Sequence, residues 1–123
     1  MRIFLTGATG FLGSYIAREA LNRRHDVAVL IRTHANLWRI SDIIENLKVI
    51  YGTLEEQQAW QQQIHNFAPD AIIHAAWHGV ENKSHSSDDQ LSNIPALKFL
   101  LALATACGCK KFIGIGSQAE YGL

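Results

Sequence analysis

The chain has 123 residues, 48% of them apolar, enough for one domain with a buried core and too few for two. Lysine plus arginine and aspartate plus glutamate balance at 11 each, so no net field draws in nucleic acid or an anionic membrane surface. The N-terminal apolar run is too short for a signal peptide, and the later apolar stretch 94–107 carries Pro95 and Lys98 and is too short to span a bilayer. A soluble, cytoplasmic protein is expected.

Residues 2–6 form an apolar run that stops at Gly7 and read as a buried strand. Residues 11–23 follow as a helix, with Phe11, Leu12, Tyr15, Ile16 and Ala20 at helical spacing. Residues 27–31 are five consecutive apolar residues, rich in valine and isoleucine, and predict a second buried strand. The weakly patterned segment 37–44 reads as a short helix capped by Asn36. A third strand is expected at 47–51, then a polar helix over 54–67 that ends before Pro69. Residues 70–76 predict a fourth strand, in which His74 interrupts the apolar run.

The polar stretch 79–89 reads as a loop or a helix start. Ser92 or Asn93 then caps a long helix that runs to Ala106, with Pro95 in its first turn and Gly108 just past its end. Cys107 and Cys109 lie at this helix end, where side chains two apart diverge; reduced thiols and no metal site are expected. Residues 112–116 form a fifth strand. Strands joined by helices of this length imply right-handed crossovers and a parallel sheet covered on both faces. The expected fold is an α/β, Rossmann-type doubly wound domain over residues 1–123, with about five strands in the order 3-2-1-4-5.

The first strand leads into Thr6-Gly7-Ala8-Thr9-Gly10-Phe11-Leu12-Gly13, with glycines spaced G-x-x-G-x-x-G. Gly7 permits the sharp turn, Gly10 removes a Cβ where a diphosphate approaches, and Gly13 allows close helix packing. Thr9, Phe11 and Leu12 complete the cradle, and the helix N-terminus offers N–H groups and a positive pole to phosphates. The other reading is a tight strand-to-helix turn without a ligand. A dinucleotide fingerprint usually places a carboxylate about 20 residues further on, to bind the adenine ribose. Here the second strand ends at Ile31-Arg32-Thr33, with no acid at its tip. A guanidinium there makes a forked bond to a 2′-phosphate, so Arg32 favours NADP over NAD. An exposed arginine closing a strand is the alternative.

These motifs, with the strand through His74-Ala75-Ala76, the helix opening at Asn93 and the run Gly116-Ser117-Gln118-Ala119-Glu120-Tyr121-Gly122, give the chain a clear likeness. It resembles the extended short-chain dehydrogenase/reductase superfamily, and within it the NAD-dependent epimerase/dehydratase family acting on nucleotide sugars. The resemblance implies that Ala75 and Ala76 flank the ribose and nicotinamide side of the cofactor. It implies that Asn93 supports the site from its helix and that the Ser117 hydroxyl bonds the substrate's reacting oxygen. Thr53 and Leu54 fall beside the adenine, although many relatives carry aspartate in place of Thr53. Gln118 and Ala119 stand where dehydratase relatives carry an acid pair, which disfavours a sugar 4,6-dehydratase. His74 belongs to the family pattern as a packed core histidine, and His78 reads as a loop residue.

The family's Tyr-x-x-x-Lys pair, in which lysine lowers the tyrosine pKa, does not occur in these 123 residues. Tyr121 belongs to a Tyr-Gly pair. The sequence therefore reads as the front part of a larger enzyme, not competent for the family reaction alone. Two further readings stand beside an epimerase or reductase: a non-catalytic dinucleotide sensor, and an assembly module in which a bare sheet edge drives homo-oligomers.

Overall fold

A computed structural model describes the chain over residues 1–76 and 93–115. Five strands, β1 (Arg2–Thr6), β2 (Asp26–Ile31), β3 (Lys48–Tyr51), β4 (Ala71–His74) and β5 (Lys111–Gly114), pair in parallel in the order β3-β2-β1-β4-β5. Helices α1 (Phe11–Asn22), α2 (Gln61–Phe67) and α3 (Asn93–Ala106) cover the sheet. This is the doubly wound α/β arrangement and strand order read from the sequence.

The unbroken apolar strands follow from burial on both faces, since successive side chains point to opposite sides. Ile3, Leu5, Val27, Val29 and Ile31 face α1 and join Ala17 and Ala20 in one core. Phe4, Ala28, Leu30, Ile50 and Ile72 face the other way and join Ile64 of α2 and Ala96, Leu100 and Leu103 of α3. Trp60 is fully buried in this second core, its ring 5.8 Å from Phe4 and 5.7 Å from Phe99. A side chain of that size contributes on the order of 5 kcal/mol by the apolar area it removes from water. Gly108 follows α3 with φ +69°, the left-handed helix end expected of it.

Three expectations are corrected. Of the apolar positions read on α1, Ala20 is buried and Ile16 packs on the core, but Phe11, Leu12 and Tyr15 are exposed and the rest of the buried face is Gly13, Ser14 and Ala17. Small residues bring this helix close to the sheet, and the aromatic pair stacks edge to face outside, with centroids 5.4 Å apart. Segment 37–44 is not a helix but a series of tight turns that closes in a 3-10 turn at Ile44–Asn46. Asn36 does cap its start, Oδ1 accepting from the Trp38 N–H at 3.1 Å. The turns persist because Arg18 donates to the Arg39 carbonyl and pairs with Asp42 at 2.6 Å.

The polar helix expected over 54–67 is split into a 3-10 turn at Gln57–Ala59 and α2, with Trp60 between them outside helical geometry at φ −131°, ψ −9°. Its indole is drawn into the core and donates to the Thr53 carbonyl at 2.7 Å, which outweighs helix continuity in a segment with few apolar anchors. β1 has the limits expected, and the ends of the other strands differ by at most two residues. The expected loop at 79–89, His78, Ser92 and the run 116–122 lie outside the described residues. Among the described residues, no helix is long and apolar enough to cross a membrane, and no three metal-ligating side chains converge.

Candidate functional site

The site begins where β1 ends. Gly7 turns the chain at φ +82°, and the turn closes with the Gly10 N–H donating to the Gly7 carbonyl at 3.1 Å. Gly10 is the N-cap of α1; no side chain caps the helix, and its first turn carries no acid. The positive end of α1 is therefore left to bind an anion rather than a protein carboxylate.

The three glycines are needed for different reasons. A Cβ on Gly7 would lie 2.6 Å from the Ala75 carbonyl carbon and from the Ala76 nitrogen. A Cβ on Gly13 would lie 1.8 Å from the Gly7 carbonyl oxygen, so helix and turn are in backbone contact. The sequence reading placed that close approach against the sheet; the structure places it against the turn itself. At Gly10 the one neighbour within 4 Å is the Gly7 oxygen at 3.4 Å, so here a side chain would occupy open space. That is the position at which a ligand, rather than the protein, benefits from the missing Cβ.

A cavity of about 350 Å³ opens at this turn, across the carboxyl ends of β1, β2, β3 and β4. It includes the switch between β1 and β4, where the chain reverses direction across the sheet and ligands bind in such folds. Gly7, Thr9, Gly10, Phe11, Leu12 and Gly13 line it from the turn, and Arg32 from the tip of β2. Thr53 and Leu54 line it after β3, and Ala75 and Ala76 after β4. Asn93 is buried in the first turn of α3 and is not among the lining residues. Ser117 lies outside the described residues.

The sequence reading missed Thr6, Leu30, Ile31, Gly52 and Glu55, which also line the cavity. Gly52 carried the same signal as Gly7, a glycine directly after a strand. A Cβ there would lie 2.5 Å from Trp60 Cδ1, so this glycine makes room for the core indole. Glu55 had no such signal. It adds an acidic residue to a lining that also holds Arg32, and both are exposed.

Thr6 and His74 are both almost wholly buried, 1% and 2% exposed. The Thr6 hydroxyl and His74 Nδ1 are 2.7 Å apart, and Thr6 Oγ1 accepts from the N–H groups of Ala75 and Ala76, each at 3.2 Å. Burial pushes the His74 pKa down and keeps the ring neutral. On the outer rim, Arg39 lies 4.6 Å above the Trp38 ring and donates to the Thr9 carbonyl at 3.2 Å. That bond ties the 37–44 turns to the glycine turn.

The family model for the NAD dependent epimerase/dehydratase family matches residues 3–123. A UDP-glucose 4-epimerase of Klebsiella pneumoniae is 28% identical over 99% of this chain and 93% of its own length. A dTDP-6-deoxy-L-talose 4-dehydrogenase (NAD(+)) of Aggregatibacter actinomycetemcomitans is 24% identical over 99% of the chain, which spans 43% of that protein. Among solved structures, the Bordetella bronchiseptica enzyme WbmH in complex with NAD+ superimposes with a TM-score of 0.81 over 98% of the chain. Its sequence is 24% identical, and the chain spans 40% of it, so the likeness to it is one of fold.

Proposed function

The chain belongs to the NAD dependent epimerase/dehydratase family, and from that premise we propose that its cavity binds a nicotinamide dinucleotide, with NADP preferred over NAD. Residues 1–123 are, in this reading, the cofactor-binding domain of a nucleotide-sugar epimerase or reductase. The observation that carries it is the convergence on one cavity of eleven residues chosen from sequence alone, at an uncapped helix N-terminus. Backbone N–H groups of the Gly10–Gly13 turn hold the diphosphate. Thr53 and Leu54 border the adenine, and Ala75 and Ala76 border the nicotinamide ribose. Asn93 supports the site from α3 without lining the cavity.

The preference for NADP rests on Arg32, whose fork suits a phosphate dianion. Glu55, which also lines the cavity, works against it, so the preference is a balance between two side chains of opposite charge. The cofactor, when bound, supplies hydride transfer to and from the sugar. This chain's part is to bind it and, through the Ser117 hydroxyl, to donate a hydrogen bond to the substrate's reacting oxygen. No Tyr-x-x-x-Lys pair lies within the 123 residues, so turnover by them alone is not expected.

Calorimetric titration of the 123-residue chain with NADP and with NAD tests the proposal. Tighter NADP binding that falls about tenfold in Arg32→Ala, with NAD unaffected, is expected. Tighter NAD binding removes the role of Arg32. Failure of both to bind removes the dinucleotide reading.

A further inference from the structure

The glycine turn and the strand end opposite it must stay in fixed register for the cavity to keep its shape, and one buried hydroxyl sits between them. The Thr6 hydroxyl has one proton to give and two lone pairs to receive with. The Ala76 N–H donates to Oγ1 at 3.2 Å, and the Ala75 N–H is shared between Oγ1 at 3.2 Å and the Thr6 carbonyl at 3.1 Å. Both donors approach the lone-pair side, so the hydroxyl proton must leave in another direction. Among the described residues the acceptor within reach is His74 Nδ1, at 2.7 Å. If Nδ1 carried a proton instead, two protons would face each other across that distance. Otherwise the Thr6 proton would lose its acceptor inside a buried site, at a cost of the order of a lost hydrogen bond.

We infer that Thr6 and His74 are positioning residues: His74, held as the neutral tautomer with its proton on Nε2, accepts a hydrogen bond from the Thr6 hydroxyl at Nδ1 and so fixes the Ala75–Ala76 turn against Gly7 for cofactor binding. The inference rests on the dinucleotide reading for its last step alone. The relay has a direction. It runs from the backbone N–H groups of β4's end, through the hydroxyl at β1's end, to a ring on β4 itself. Thus both strand ends are locked by one side chain from each. The fit is tight on the other side too, because Gly7 meets Ala75 and Ala76 with no room for a Cβ. A slip of the Ala75–Ala76 turn would move one wall of the cavity, with no contact of Thr6 or His74 to the ligand through their ring or methyl groups being needed.

Nitrogen-labelled imidazole NMR of the whole 123-residue chain tests the relay without any mutation. At neutral pH the His74 Nδ1 signal is expected at the position of an unprotonated, hydrogen-bonded nitrogen, with the proton on Nε2. A proton found on Nδ1 overturns the inference. Thr6→Val, of nearly equal size and without the hydroxyl, is expected to speed hydrogen exchange at the Ala76 amide. It should also weaken dinucleotide binding about tenfold, the loss of roughly one buried hydrogen bond. Thr6→Ser, which restores the hydroxyl, should return both to within about twofold of the parent chain. If Thr6→Val binds the dinucleotide as tightly as the parent, or Thr6→Ser fails to rescue, the positioning role is overturned. If the parent binds neither NADP nor NAD, the cofactor reading falls, and the NMR tautomer alone decides the relay.

Discussion

The neighbouring strands β1 and β4 are fastened at both ends, but by different chemistry. At their amino ends the Arg2 N–H donates to the Asp70 carboxylate at 2.8 Å, while the Asp70 N–H donates to the Arg2 carbonyl at 2.7 Å. The Lys110 N–H donates to the Asp70 carbonyl at 2.8 Å, and the Cys109 thiol to the Pro69 carbonyl at 3.1 Å. This fastening is ionic and near water. At their carboxyl ends the fastening is neutral and buried: Thr6, His74 and two backbone N–H groups, braced by a glycine in backbone contact. The difference is what an anion site requires. A carboxylate among the carboxyl-end fastenings would compete for the positive end of α1, whereas one at the amino end lies at the opposite end of the strands from that pole.

The comparison breaks most readily at Gly13. Its Cβ would lie 1.8 Å from a carbonyl oxygen of the turn, and neither partner is a flexible side chain. Gly13→Ala is expected to cost about 3 kcal/mol and to abolish dinucleotide binding, because relief requires moving α1 off the turn. Gly108→Ala provides a contrast at the amino end. No atom lies within 4 Å of its Cβ position, so its loss comes from φ +69° alone and is expected at about 1 kcal/mol with binding intact. Urea unfolding and calorimetric titration of the two variants check this pair. Equal losses would show that crowding at the turn is not what sets Gly13 apart.

Much of this contrast was legible in the sequence. Glycine spacing after an apolar run located the turn, and apolar runs with turn residues between them located the strands, because parallel strands buried on both faces read as continuous apolar segments; their order came with the doubly wound fold. What was not legible depended on contacts distant in sequence. Trp60 breaks the helix expected over 54–67 because Gly52 leaves room for its indole and Thr53 offers a carbonyl, neither of which periodicity registers. Arg18 holds 37–44 in turns through direct contacts with Arg39 and Asp42, which lie 21 and 24 residues away in sequence. Phe11 and Leu12, read as part of the cradle, do line the cavity, whereas the helical spacing that grouped them with Tyr15 did not show that α1 packs on the sheet through Ala17 and Ala20 and on the turn through Gly13. His74 looked like a packed core histidine. That holds, but its partner Thr6 lies on another strand, 68 residues away, so no local pattern marks the hydrogen bond between them.

Ala68 offers a gentler test at the amino end. It terminates α2 in the left-handed conformation, at φ 54°, two residues before Asp70. Alanine pays a steric cost there of about 1 kcal/mol or more, and glycine loses part of that gain through unfolded-chain entropy. Ala68→Gly is expected to stabilise the chain by about 0.5 kcal/mol and to leave cofactor affinity unchanged, as read by thermal unfolding and titration. A change in affinity would mean that the two ends of the β1–β4 pair are not independent.

The two fastenings should also separate by pH. The Arg2 N–H holds the Asp70 carboxyl below its ordinary value of 3.8, so its stabilisation is present above that value and disappears as the pH falls through the lower folded value. Asp42, lowered by its bond to Arg18, behaves alike in the same range. His74 is lowered from 6.5 by burial, so the unfolded chain takes up its proton first and stability declines as the pH drops below 6.5. Stability measured against pH should therefore fall in two stages: the carboxyl-end fastening below 6.5, and the amino-end fastening in the carboxylate range. His74→Asn should remove the first stage and keep the second. Asp70→Asn should reduce the second, leaving the share of Asp42, and keep the first. The fastenings are roughly 13 Å apart along the strand, far enough for the two effects to add. If either substitution alters both stages, the neutral and the ionic ends share one network, and the division of labour between them is lost.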